Sequence, residues 1–227
     1  MNQSRQEISR VSRSKEEARA AYDRLSRWYD VLAARSERRP RESGVRKLAV
    51  GDGEKVLEIG CGTGHSIVAL ARSVGCSGRV YGIDLSRGML DVTRRRIGKA
   101  ALLGRVHLLR GDAANLPFFD GSFDAVLMTF TLELFDTPEI PAVLHECHRV
   151  LRDGGRLGVV AMARKAREGI MVRLYEWAHR TFPKYFDCRP IFLRHTLEDA
   201  AFEIVEATAL SMWGLPVEVV VVLKPQP

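Results

Sequence analysis

The chain has 227 residues, of which 46% are hydrophobic and 28% charged, with a formal net charge of +7. That length supports one domain with a full core, and the composition excludes a collagen-like, disordered or disulfide-framed chain. No apolar run approaches the roughly 18 residues that a membrane-spanning helix needs, and the N-terminal stretch lacks the apolar segment of a secretory signal.

The charge is unevenly placed. Residues 1–50 hold 13 Lys or Arg against 7 Asp or Glu, whereas the rest hold 22 against 21. The basic excess therefore sits in an N-terminal arm. It suits an anionic phosphate-bearing surface, lipid or nucleic acid, as well as it suits a solvated helix face. Cys61, Cys76, Cys147 and Cys188 include no CxxC pair, and they read as reduced thiols of a cytoplasmic protein.

In chain order, Ser14 and Glu17 form a capping box. Ala18, Ala21, Tyr22, Leu25, Trp28, Tyr29 and Leu32 then recur at three- and four-residue steps, the stripe of an amphipathic helix. A basic stretch with Pro40, Ser43 and Gly44 follows without an assigned element. Strands are expected at 55–59, 79–83, 106–110, 125–130 and 156–162. Helices are expected between them at 67–74, 88–99 and 138–151, the last closed by Asp153-Gly154-Gly155. Helices at 169–182 and 196–201 precede two last strands, 204–210 and 216–223, around a Gly-Leu-Pro turn. Such alternation implies βαβ units and a parallel sheet with helices on both faces, and the final pair suggests an antiparallel edge hairpin.

The first strand runs into Glu58-Ile59-Gly60-Cys61-Gly62-Thr63-Gly64-His65. Glycines there permit positive φ and let a ligand lie against bare backbone, beside the free N–H groups of a helix start. The spacing is G-x-G-x-G; a dinucleotide fingerprint would need a glycine where His65 stands, and no P-loop pattern occurs. Asp84 and Asp112 fall just after the second and third strands. The first can accept both hydroxyls of a ribose and the second an adenine amine, at the sheet edge where open α/β folds bind ligands. Either alone could equally be a cap or turn residue.

These residues bring a family into view. Residues 56–65, 81–86, 111–124 and 151–160 resemble the successive motifs of class I S-adenosylmethionine-dependent methyltransferases. The resemblance is strongest to the subgroup that includes the ubiquinone/menaquinone-biosynthesis methyltransferases. Gly111-Asp112-Ala113-Ala114-Asn115-Leu116-Pro117-Phe118, with Asp120, Ser122, Phe123 and Asp124, carries it, as does Glu146-Cys147-His148-Arg149-Val150-Leu151-Arg152-Asp153-Gly154-Gly155, where the family usually has Pro in place of Asp153. The resemblance implies an α/β fold, a Rossmann-like three-layer αβα sandwich with a seven-stranded, mostly parallel sheet and an antiparallel C-terminal edge hairpin. It implies S-adenosylmethionine as cofactor. Gly60, Gly62 and Gly64, flanked by Glu58 and Cys61, would back its methionine and ribose. Asp84 would bind the ribose hydroxyls, Leu85 and Met89 would lie along the adenine, Asp112 and Ala113 would hold its edge, and Thr129 and Phe130 would face the methionine end. Residues 1–50 would form a basic arm and lid helix, with Tyr22, Trp28 and Tyr29 near the sulfonium. Residues 51–227 would form the cofactor-binding domain, with an acceptor-shaping insert at about 164–196.

Methyl transfer to an activated carbon or a phenol benefits from a base. Glu133, His179, Asp187 and His195 are the candidates, with Tyr22 beside them from the lid. A lipid-like acceptor, either a quinone precursor or a phospholipid amine, suits the basic arm and the aromatic residues Trp177, Phe182, Tyr185, Phe186 and Phe192, and it would place the enzyme at the inner face of a membrane. A soluble metabolite is the alternative. Nucleic acid is disfavoured, because the fourth strand ends in Thr129-Phe130-Thr131-Leu132 and not in the [D/N]-P-P-[Y/F/W] of amino-group methylases. His145, Cys147 and His148 match an ordinary helix, so no metal is expected. A cofactor-binding regulator without catalysis is the reading from another class, and the intact Gly60, Gly62, Gly64, Asp84 and Asp112 argue against it.

Overall fold

Alternating side chains set the layers. In a strand, successive residues face opposite sides of the sheet. On β1 (Lys55–Ile59) and β4 (Phe123–Thr129), Val56, Ala125 and Leu127 enter one core with Ile67, Leu70 and Ala71. Leu57, Ile59, Val126 and Met128 enter the other, with Val143, Leu144 and Cys147. Both faces are covered, so these strands read as continuous apolar runs. The computed structural model describes residues 14–26, 34–164 and 189–226.

The remaining strands are β2 (Arg79–Asp84), β3 (Val106–Arg110), β5 (Leu151–Met162), β6 (Glu203–Met212) and β7 (Leu215–Leu223). They form one sheet in the order β3-β2-β1-β4-β5-β7-β6. The pairs from β3 through to β5 are parallel, and β7 runs antiparallel to both β5 and β6. This is the expected seven-stranded sheet with its antiparallel C-terminal edge. The strand order reverses between β1 and β4, which opens a crevice at their carboxyl ends.

Six α-helices surround the sheet among the described residues: α1 (Lys15–Leu25), α2 (Ala34–Leu48), α3 (His65–Ser73), α4 (Arg87–Lys99), α5 (Ile140–Val150) and α6 (Leu193–Asp199). Helix α1 has the expected capping box: the Glu17 amide donates to Ser14 Oγ and the Ser14 amide to the Glu17 carboxylate. The rest of its predicted stripe, Trp28 to Leu32, lies outside the described residues, as does the helix expected at 169–182.

Helix α2 corrects the reading of 34–48 as an unassigned basic stretch. It is helical through Pro40 and packs on β4, β5 and β7. Its buried positions are Pro40, Ser43, Gly44 and Leu48, a helical spacing built mostly from small residues. A Cβ on Gly44 would stand 2.4 Å from Val160 Cγ2, so close approach to the sheet requires glycine there. Tertiary packing outweighs the poor helix propensity of Pro and Gly.

Strand β4 ends at Thr129, one residue early, because Phe130 turns to φ 52. Strand β5 begins earlier than expected, at Leu151, and takes in the Asp153-Gly154-Gly155 that was expected to close the preceding helix. Helix α6 starts at Leu193, three residues before the expected 196.

Candidate functional site

The crevice between β1 and β4 holds a cavity, partly open to solvent, that reaches from Tyr22 and Met89 to Arg41 and Leu134. The turn from β1 into α3 makes its floor. Gly60, Gly62 and Gly64 have φ of 68, 51 and 82, the left-handed region that side chains avoid. The turn is pinned from three sides. The Gly60 amide donates to the Ile83 carbonyl at 2.8 Å, Thr93 Oγ1 donates to the Gly62 carbonyl at 2.7 Å, and the Gly62 amide donates to Asp84 Oδ2 at 2.9 Å. Asp84 Oδ1 accepts from the Ser86 amide at 2.8 Å.

The two acids of the turn region are both shifted. Burial pushes Asp84 up to about 6, against the pull of the Ser86 and Gly62 amides. Glu58 is 1% exposed and its Oε2 has no hydrogen-bond partner among the described residues. Burial raises its carboxyl to about 8, partly offset by the nearby Ser66 hydroxyl and the Arg41 charge. A cation placed in the cavity would draw both acids back toward ionisation.

Ten of the sequence-derived cofactor residues line the cavity: Tyr22, Glu58, Gly60, Cys61, Gly62, Gly64, Asp84, Met89, Thr129 and Phe130. Phe130 holds its left-handed backbone while 5% exposed, with its amide donating to the Val160 carbonyl at 2.7 Å. Such a conformation costs a bulky residue roughly 1–3 kcal/mol and clusters at functional sites.

Leu85, Asp112 and Ala113 are not among the lining residues. Both oxygens of Asp112 are engaged. Oδ1 accepts from the Ala114 amide at 3.0 Å, and Oδ2 accepts from Lys15 Nζ at 2.6 Å, with Glu139 3.0 Å from the same ammonium. Helix α1 thus places an ammonium where an adenine amine was expected. It docks at its other end through Asp23, whose Oδ1 accepts from Ser86 Oγ at 2.6 Å and the Gly88 amide at 2.9 Å.

Of the catalytic candidates among the described residues, only Tyr22 lines the cavity. Glu133 is fully buried outside it; its Oε1 accepts from the Met162 amide at 3.1 Å, and burial raises it to about 8. His195 is on exposed α6, with Nε2 3.5 Å from Asp199 one turn away, so it is a surface pair and not a cavity group. His179, Asp187 and the aromatics 177–186 lie outside the described residues.

Sequence reasoning missed Glu37 and Arg41 of α2, which line the cavity beside Leu134, Thr131 and Ser66. Their spacing of four places them on one helix face, but the helix itself was hidden by its small-residue face. The Glu146–Arg149 motif proves structural. Arg149 bonds both Glu146 oxygens at 2.7 Å and the Phe118 and Leu116 carbonyls, while the Leu116 amide donates to Glu146 Oε2. That clamp fixes the loop that follows Asp112.

Among the described residues no helix is long and apolar enough to cross a membrane, and no group of three or more His, Cys, Asp or Glu could hold a metal ion. Cys61, Cys76 and Cys147 are free thiols, and Cys188 lies outside the described residues.

A seven-stranded sheet with this order and a glycine-floored cavity at its reversal point defines the class I methyltransferase architecture. A solved S-adenosylmethionine-dependent methyltransferase from Aquifex aeolicus shares the fold, with a TM-score of 0.60 at 22% identity over 81% of this chain and 88% of that one. So does the [4+2]-cyclase SpnF, with a TM-score of 0.79 at 19% identity over 98% of this chain and all of that one. At those identities the likeness speaks for the fold alone. Residues 56–155 match the family described as "Methyltransferase domain". The demethylmenaquinone methyltransferase of Geobacillus kaustophilus is 41% identical over 155 residues, 68% of this chain and 63% of that one. The chain therefore spans less than two thirds of that relative's length. Over residues 56–155 the chain is therefore similar to methyltransferases.

The cavity fits the family's cofactor. The Gly62 Cβ position is open, with no atom nearer than 3.9 Å, so bare backbone can meet a ligand. Glu58 offers an unpaired buried oxygen and Asp84 a carboxylate at the end of β2. An adenosine with a cationic tail uses both kinds of group.

Proposed function

We propose that this protein transfers a methyl group from S-adenosylmethionine to a lipid-like acceptor, with a quinone precursor favoured over a phospholipid amine. The observation that carries the reading is the cavity itself, where glycine backbone, Glu58 and Asp84 converge at the sheet's reversal point. The preference for a quinone rests on the relatives at 41% and 38% identity, both named demethylmenaquinone methyltransferase.

When bound, the cofactor supplies an electrophilic methyl on a sulfonium. The chain's own work is alignment and exclusion of water. Asp84 accepts the ribose hydroxyls, Met89 packs against the adenine, and the turn at Gly60, Gly62 and Gly64 allows close approach. Tyr22, Thr129 and Phe130 close the end where transfer occurs, and aromatic faces there favour a cation. Asp112 joins the site once Lys15 releases its Oδ2. The N-terminal basic arm holds the protein against anionic lipid.

The test supplies methyl-labelled cofactor with three acceptors in turn: a reduced demethylated prenylquinone in vesicles, a phosphatidylethanolamine vesicle, and a water-soluble fraction of host metabolites. Label is expected in the quinone. Label confined to the soluble fraction would contradict the lipid reading. Saturable cofactor binding without turnover on any acceptor would point to a regulator.

A further inference from the structure

The β6–β7 hairpin turns in two residues, Trp213 and Gly214, between the paired Met212 and Leu215. Their φ are 53 and 78. Asn-Gly or Asp-Gly suits such a turn, because both central residues must be left-handed. A bulky side chain in that conformation is an outlier that costs stability. Burial does not offset the cost, since Trp213 is 69% exposed. The fold alone therefore does not account for tryptophan at this position, and a strained, exposed aromatic points to function.

Topology places the tip. Val217 pairs with Met162, the last residue of β5, so the turn stands just beyond the carboxyl end of that strand. Strand β5 is parallel to β4, and β4 to β1, whose carboxyl ends carry the cavity. The hairpin tip and the cavity thus share one edge of the sheet. Beneath the tip, half-buried Leu210 and Met212 pack on a cluster that includes Leu215, Met162 and Phe130. Phe130 also lines the cavity. An apolar cluster therefore links the residues flanking Trp213 to the end of the cavity where transfer is placed. The other exposed large apolar side chains among the described residues lie toward the opposite edge. Leu103 and Phe119 are in loops that lead into β3 and β4, and Val205 is near the start of β6.

An indole has an apolar body and one N–H donor, and it sits well where hydrocarbon meets headgroups. A protein partner needs a broader apolar patch. Among the described residues, Trp213 is the one exposed large apolar side chain at this edge, which fits insertion at a single point in a bilayer.

We propose that the β6–β7 hairpin tip is a membrane contact. Trp213 enters the headgroup region of a bilayer and holds the cavity's edge of the sheet against the lipid that carries the acceptor. Delivery of the acceptor rests on the lipid-acceptor reading above; the contact itself does not. The basic N-terminal arm supplies long-range attraction to anionic lipid, and the tip supplies short-range insertion that salt does not screen.

Trp213→Asn tests this on the full chain, because asparagine fits the turn better than tryptophan. Its melting temperature should match or exceed that of the wild type. Its partitioning onto phosphatidylglycerol–phosphatidylcholine vesicles should fall roughly tenfold, at low salt and at high salt alike. Phe119→Ser, on the opposite edge, should bind as the wild type does. With Trp28 and Trp177 replaced by Phe, the emission of Trp213 should shift to the blue on vesicles and be quenched by lipids brominated near the headgroup. Methyl transfer to a demethylated prenylquinone in vesicles should fall with binding, while transfer to a short-chain quinone in water should not change. Wild-type partitioning by Trp213→Asn, an indole that stays in water on vesicles, an equal loss in Phe119→Ser, or equal loss of transfer to both quinones would each overturn the proposal. So would a blue shift that needs high protein concentration and no lipid, which would mark a contact between copies of this chain. Insertion of Trp213 with label passing only to water-soluble metabolites would instead sink the lipid-acceptor reading and leave the contact standing.

Discussion

At the scale of single residues, the turn's glycines are not equivalent. A Cβ on Gly60 would stand 2.4 Å from Thr131 Cγ2 and Oγ1, whereas the same atom on Gly62 meets nothing nearer than 3.9 Å. Both have positive φ. Gly62→Ala should therefore cost only about 1 kcal/mol of stability, the strain of a left-handed alanine, while impairing cofactor binding. Gly60→Ala should cost about 2–4 kcal/mol, because overpacking is added to strain. Thermal melts of the two variants check this, and equal losses would contradict it. The three-glycine spacing announced the turn in the sequence, but only the packing of Thr131 separates a structural glycine from one that faces ligand. Glu58 was legible as an acid beside the turn; that its Oε2 is left open among the described residues was not, since that depends on what α2 and α3 bring around it. With its carboxyl raised to about 8 by burial, Glu58 is protonated near pH 7 and must lose that proton to meet a cation. Affinity for S-adenosylhomocysteine should rise with pH between about 6 and 8, with proton release visible as a dependence of calorimetric heat on buffer ionisation. Glu58→Gln should abolish that dependence; a buffer-independent heat in the wild type would contradict the account.

At the scale of elements, α1 is joined to the body by a clasp at each end. Lys15 sits on Asp112 and Glu139, and Asp23 on Ser86 and the start of α4. Gly88 makes the second clasp possible, since a Cβ there would stand 3.0 Å from the Asp23 carbonyl oxygen and 2.8 Å from Ser26 Oγ. Gly88→Val should unseat α1 while leaving the sheet intact. Hydrogen exchange should then quicken in residues 15–25 and stay slow in β1 and β4; unchanged exchange in α1 would contradict this docking. The sequence announced α1 through its capping box and apolar stripe. It concealed α2, because that helix buries Pro40, Ser43 and Gly44 and so shows no apolar period. The sheet's strands were readable for the opposite reason: Val, Ile and Leu runs between glycine turns have few other folds open to them. Their ends were less so. Phe130 leaves β4 one residue early only because the loop that follows bends back over the cavity with Thr131, whose hydroxyl donates to the Thr129 carbonyl at 3.0 Å. His195 shows the limit of lone side chains as signals, since a histidine on an exposed helix looks the same in sequence as one aimed into a pocket.

At the scale of the whole molecule, two buried acids set how stability follows pH. Glu58 and Glu133 are both raised by burial from 4.5 to about 8. Between those values the unfolded chain binds fewer protons than the folded one, so stability falls as pH rises from about 4.5 and levels off above about 8. Each group accounts for roughly 2–5 kcal/mol of that decline. Glu133→Gln should flatten the profile in urea melts between pH 5 and 9, and a wild-type profile that is already flat would contradict the burial of these carboxyls. The charge distribution acts at the same scale. The basic excess lies in residues 1–50, so removing residues 1–13 should lower binding to vesicles rich in anionic lipid and weaken its salt dependence. Binding that survives the truncation would place the membrane contact elsewhere.

The central claim is that the cavity between β1 and β4 holds an adenosine with a charged tail, gripped at the ribose by Asp84. Calorimetric titration of S-adenosylhomocysteine into the wild type and Asp84→Ala tests it most directly. The account predicts saturable one-to-one binding by the wild type and a loss of about 1–3 kcal/mol in the variant. Equal affinity in the two proteins, or no binding by folded wild type at millimolar ligand, would contradict it.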